Sequence, residues 1–169
     1  MHNNKKQEGP YFFLLWGIGL LFVLARGKII NMYSSGLAWF DPWTILTVYI
    51  FLYYGPKKTA FFAFSQGFFL DIFSCGVHGL FVLLYLFVSG CIYIGSNFFD
   101  LEHTVGQISL VTLVMLLKEF MFVLLTTVFL YNSFSLQSFV YTSIYSSIFT
   151  GIATPFFFRV FFLLAPDNT

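Results

Sequence analysis

Ile50-Phe51-Leu52-Tyr53-Tyr54-Gly55-Pro56-Lys57-Lys58-Thr59-Ala60-Phe61-Phe62-Ala63-Phe64 is an apolar run, a break and a second apolar run. Proline stops a helix and lysines prefer water, so Gly55 to Lys58 closes one apolar span and opens the next. The first extends back to about Leu37, and the second continues from Thr59 to Phe73. The second span follows the first at once, so either the short spans extend through their flanking residues or the pair 37–73 forms something less regular.

The rest of the chain repeats the pattern. A span from Tyr11 to Ala25 ends at Arg26 and Lys28; a glycine-rich turn, Ser74 to His78, leads to a span over Gly79 to Phe98. After a polar loop with Asp100, Glu102 and His103 come Val105 to Tyr131, the turn Asn132 to Gln137, and Ser138 to Leu164 with a kink expected at Pro155. Of 169 residues 59% are hydrophobic and only 9% charged, which marks a polytopic membrane protein. The expectation is an all-α membrane protein of about six transmembrane helices. Residues 11–164 form one membrane domain, between a cytoplasmic tail at 1–10 and a short C-terminal tail at 165–169. The spans Tyr11 to Ala25 and Thr59 to Phe73 have apolar lengths of only ~22 Å at 1.5 Å per residue, against a hydrocarbon core of ~30 Å.

Lys5 and Lys6 before the first span imitate a signal peptide, but Val23-Leu24-Ala25-Arg26 is a poor cleavage site, so the span reads as uncleaved. With six spans both termini lie on one side. That side groups Lys5, Lys6, Lys57, Lys58 and Arg159 and leaves Arg26 and Lys28 opposite, so the termini are expected in the cytoplasm. Trp39, Trp43, Tyr49, Tyr53 and Tyr54 sit near the ends of the second span, where interfacial anchors belong. The 26 Phe are scattered over every span and read as packing and lipid-facing bulk.

The net charge of +1 comes from scattered basic residues that build no basic face, which argues against a nucleic-acid partner. Cys75 and Cys91 lack a CxxC spacing and read as packing residues. His2, His78 and His103 are isolated from one another and from carboxylates at ligand spacing, so no metal site is expected. Cys75 with His78 is the nearest thing to a nucleophile and base, without an orienting acid. No Walker-type loop and no dinucleotide fingerprint occurs, and no cofactor is expected.

Three groups of residues remain as candidates. Gly67 and Asp71, at i and i+4, share a helix face, with Gly79 beyond the turn; the glycine leaves room for a neighbouring helix, and Asp71 suits either backbone N–H groups at a helix end or an intramembrane proton or ligand role. Lys118 and Glu119 fall mid-span and point about 100° apart, so each needs a partner on another helix. Asp71 or a backbone carbonyl suits Lys118, and Thr44, Thr47 or Tyr85 suits Glu119. Ser143, Ser147 and Gly151 form a small-residue packing stripe, with Thr142, Ser146 and Thr150 beside it.

Asp41-Pro42-Trp43 opening a span, Gly55-Pro56 with basic residues, Gly67-Phe68-Phe69-Leu70-Asp71-Ile72-Phe73-Ser74, Gly79-Leu80, and Tyr85 with Gly90 follow one another in an order that resembles the MreD family. That family is the small integral-membrane subunit of the bacterial rod-shape machinery. Motif-like matches cover about a third of the chain; Ala63 stands where the family often has glycine, and Lys118-Glu119 is not a family feature. The resemblance implies a six-helix bundle similar to the S-components of energy-coupling-factor transporters. It also implies a non-catalytic role in the inner membrane: a partner for MreC, and through it for MreB, RodA and a penicillin-binding transpeptidase in peptidoglycan elongation. Asp71 is the charged candidate that the resemblance carries. The alternative is a small-molecule-binding, S-component-like transporter subunit, which Lys118 and Glu119 motivate.

Overall fold

The computed structural model describes residues 8–29, 41–73, 79–101, 103–130 and 136–164. They form five helices and, among the described residues, no strand: α1 (Glu8–Ile29), α2 (Pro42–Phe73), α3 (Leu80–Gly95), α4 (Thr104–Leu130) and α5 (Leu136–Leu164). Where sequence predicts six separate spans, the second and third are a single helical element, α2. Its 32 residues are interrupted at Gly55, whose φ of 78° and ψ of 178° lie in a region essentially reserved for glycine.

Gly55 turns α2 back on itself. Trp43 and Phe62 would stand about 28 Å apart along a straight helix, yet their rings stack with centroids 5.9 Å apart. The local chemistry agrees with the bend. Pro56 disfavours a helical conformation in the residue before it and has no N–H to lose in the first turn after it; Thr59 Oγ1 then donates to the Gly55 carbonyl at 2.9 Å.

Helix α2 contacts all four other helices and packs most extensively against α3, while α4 and α5 form the second close pair. Small residues set the approaches. A Cβ on Gly19 of α1 would lie 2.7 Å from the Phe62 ring, and one on Gly95 of α3 would lie 2.4 Å from Leu110 of α4. Trp16 Nε1 donates to Ser65 Oγ at 2.8 Å and Gln66 Nε2 donates to the Trp16 carbonyl at 3.1 Å, fastening α1 to the second arm of α2.

The core is mainly hydrophobic, but it also holds polar side chains, and large apolar side chains cover much of the surface. Asp41, Thr44, Thr47, Thr59, Gln66, Asp71 and Lys118 are buried, while Phe98, Phe120, Ile152 and Leu163 lie on the surface, the last 82% exposed. Two helical stretches, Thr104–Leu125 and Ser143–Leu163, are long and apolar enough to cross a membrane; Pro10–Val23 and Leu80–Gly95 are shorter apolar stretches. Two of the expected interfacial anchors are instead core residues: Trp43 is stacked on Tyr85 at 3.7 Å, and Tyr49 is buried with its hydroxyl 3.1 Å from that of Tyr11. The fold of the chain explains this, since the bend at Gly55 brings both arms of α2 inside the bundle.

Candidate functional site

Asp41 immediately precedes α2, where an aspartate followed by proline suits a helix start. Its carboxylate accepts a hydrogen bond from Thr44 Oγ1 at 2.7 Å, one turn into the helix. Its backbone N–H donates to Thr150 Oγ1 of α5 at 3.3 Å. The same carboxylate oxygen forms an ion pair with Lys118 Nζ of α4, and both side chains are almost wholly buried. Three elements therefore meet at this one residue, α2 and α4 at its carboxylate and α5 at its backbone N–H. Glu119 Oε1 lies 4.0 Å from Lys118 Nζ, so two long side chains close the angular offset that separates adjacent helical positions.

This assignment corrects the sequence expectation for Lys118. Its partner is Asp41, not Asp71, because the Asp71 carboxylate is engaged elsewhere: Oδ1 accepts from Phe81 N–H at 3.0 Å and Oδ2 from Val82 N–H at 3.1 Å. Those are the second and third residues of α3. The first N–H groups of a helix lack intrahelical acceptors, and Gly79 at the cap position has no side chain to offer. Asp71 supplies the cap from the neighbouring helix, and its negative charge also suits the positive end of the α3 dipole.

Gly67 makes that reach possible. A Cβ there would fall 2.7 Å from Val82 Cα and 2.9 Å from the Phe81 carbonyl oxygen, inside the backbone of α3. Gly79 has a different part: its φ of 92° is a left-handed turn conformation, and a Cβ there would meet none of the described residues within 4 Å.

Ser143, Ser147 and Gly151 are buried, as are Ser146 and Thr150 of the adjacent stripe. A Cβ on Gly151 would lie 2.1 Å from Thr112 Oγ1, which places α5 against α4 at this level. Ser147 Oγ donates to the Ser143 carbonyl at 2.7 Å, satisfying the hydroxyl within its own helix. The side chain of Thr142 lies outside the described residues.

The structure thus joins Lys118 and Glu119 and joins Gly67 and Asp71 through α3. Asp41 carries the first cluster, and in the sequence its helix-start signature, Asp-Pro two residues before Thr44, is the signal that locates it. Two further polar atoms have no such signal: Trp43 Nε1 and Gln66 Oε1 are buried and have no hydrogen-bond partner among the described residues. Among the described residues no three His, Cys, Asp or Glu side chains come together to hold a metal ion. Cys75 and His78 lie outside the described residues, as do His2, Lys5, Lys6, Trp39 and Glu102. Cys91 is a free, half-buried thiol, and Asp100 and His103 face each other at 3.6 Å on an exposed turn. No family model, curated protein or solved structure matches this chain.

Proposed function

We propose that this chain is a multi-pass protein of the bacterial cytoplasmic membrane that serves as a non-catalytic scaffold of the cell-wall elongation complex, acting through MreC and, indirectly, MreB, RodA and a penicillin-binding transpeptidase. The observation that carries this reading is that the residues of the MreD-like motif make one packed unit. Asp41 starts the α2 hairpin, Trp43 stacks on Tyr85, Gly55 makes the bend, and Gly67 with Asp71 docks and caps α3. Each has a packing role, and a scaffold needs a firmly held membrane body.

Burial of polar side chains beneath an apolar surface supports the membrane placement, because lipid reverses what water demands of the exterior. In this reading the two arms of α2 run in opposite directions, so α1, both arms, α3, α4 and α5 make six passes, as in the S-component bundle. Lys57, Lys58 and Arg159 fall at one end with the start of α1, and with positive residues facing the cytoplasm this reading has both termini there. The first arm, residues 42–54, is only about 20 Å long, so Asp41 begins inside the membrane, level with Lys118.

A second reading, a transporter subunit holding a small molecule, draws on Trp43 Nε1 and Gln66 Oε1 within the bundle, which have no partner among the described residues. A pull-down in mild detergent, with mass spectrometry of proteins and small molecules, separates the two. The scaffold predicts a coiled-coil single-span partner, and a clean deletion that turns rods into spheres. A tightly retained small molecule with no such partner supports the transporter, and normal rod growth in the deletion strain would falsify the scaffold.

A further inference from the structure

A cleft of about 560 Å³ opens between the first arm of α2, the start of α4 and the end of α5. Its polar wall includes Arg159, Thr104 and Gln107, and its apolar wall includes Leu52, Phe158 and Phe162. Arg159 is exposed and, among the described residues, has neither an ion-pair nor a hydrogen-bond partner. Among the described residues it is also the only charged one lining the cleft. Thr104 and Gln107 belong to the first turn of α4, whose dipole favours an anion at the same mouth; the Gln107 N–H itself donates to the His103 carbonyl at 3.2 Å. Asp100, the nearby carboxylate, is not among the lining residues and faces His103.

The apolar wall distinguishes the ligand from a soluble anion. Phe162 is 64% exposed and Leu163, also at the rim, 82%, so the cleft runs without a polar barrier onto the apolar surface of the bundle. We infer that this cleft binds an anionic phospholipid, with its phosphodiester on Arg159 and the N-terminal turn of α4 and an acyl chain along Leu52, Phe158 and Phe162. A volume of this size falls in the range of small-molecule sites and suits a headgroup with its glycerol and the first part of a chain. Guanidinium and phosphate match in charge and in hydrogen-bond geometry. The Lys57 and Lys58 side of the molecule lies at the same end, and the leaflet facing it is the one where anionic headgroups and basic residues meet.

The inference rests on the membrane part of the proposed function and is independent of the scaffold part. Release of the chain from membranes by alkaline carbonate would sink the membrane reading by itself. The lipid site is tested with the full chain in nanodiscs made from equal parts of phosphatidylglycerol and phosphatidylcholine, by extraction into mild detergent and native mass spectrometry of the retained lipid. Phosphatidylglycerol is expected to be enriched on the wild type, by a factor that drops about fivefold in Arg159→Gln and largely returns in Arg159→Lys. Lys57→Gln, outside the cleft, should leave the enrichment in place. Equal retention of both lipids, undiminished enrichment in Arg159→Gln, or an equal loss in Lys57→Gln each overturns the site. Displacement of the lipid by glycerol phosphate in solution overturns it in favour of a soluble phosphate ester.

Discussion

Asp41 and Lys118 form an ion pair between the start of α2 and the middle of α4, with Thr44 donating to the same carboxylate and Thr150 accepting from the Asp41 backbone. Both charges are removed from solvent, so each depends on the other far more than a surface pair does. Removing one member of such a pair typically costs about 3–5 kcal/mol, whereas replacing both is often near neutral.

Lys118→Met is therefore expected to lower the thermal midpoint of the purified protein in detergent sharply, by an amount equivalent to about 3–5 kcal/mol. Adding Asp41→Asn should recover more than half of that loss. The double-mutant cycle measures the coupling, and strictly additive effects would show that the two charges act independently.

Asp71 stabilises by hydrogen bonding to two N–H groups of α3, and a neutral acceptor retains part of that. Asp71→Asn should cost about 1 kcal/mol, in the range of a weakened helix cap, and Asp71→Leu about 3 kcal/mol, since it leaves two N–H groups unsatisfied. Hydrogen exchange at Phe81 and Val82 reports the cap directly. Protection there should fall modestly in Asp71→Asn and collapse in Asp71→Leu; equal losses in both variants would assign the stabilisation to charge.

At Gly55 the backbone alone decides the outcome. A Cβ there meets none of the described residues within 4 Å, so Gly55→Ala introduces no clash with them. Its cost comes from forcing an L-residue into a φ of 78° with an extended ψ, about 1–3 kcal/mol. Gly17→Ala, which is equally free of contact but lies in a regular helix, is the matched control and should be neutral or slightly stabilising. Indistinguishable thermal midpoints for the two variants would mean that the hairpin bend does not require this backbone geometry.

The helices were legible in sequence because apolar runs and proline-glycine breaks are local signals. Gly79 to Phe98 became Leu80–Gly95, and Val105 to Tyr131 became Thr104–Leu130, differences confined to the ends. The hairpin was not fully legible: Gly55-Pro56 announces a break, but whether it divides two spans or folds one element depends on the φ that glycine adopts. Partners were harder still. Lys118 has several carboxylates and hydroxyls within plausible reach along the sequence, and choosing Asp41 needs the crossing of α2 and α4 in space. Trp43 shows the same limit, since an aromatic near a span end looks interfacial until the opposite arm and Tyr85 enclose it.

Gly151 and Thr112 allow the α4 and α5 contact to be tested by compensation. A methyl group at 151 would lie 2.1 Å from Thr112 Oγ1 but 3.4 Å from both Thr112 Cβ and the Ile108 carbonyl oxygen. The obstruction is thus mainly one hydroxyl oxygen. Gly151→Ala alone should destabilise by about 1–3 kcal/mol, as overpacking of a close helix contact does. Combining it with Thr112→Ala removes that oxygen and should restore most of the loss, because the remaining contacts are only slightly tighter than ordinary van der Waals distances. Thr112→Ala alone sets the baseline for the cycle. A double variant no more stable than Gly151→Ala would place the cost away from Thr112 and argue that α5 does not approach α4 through this pair.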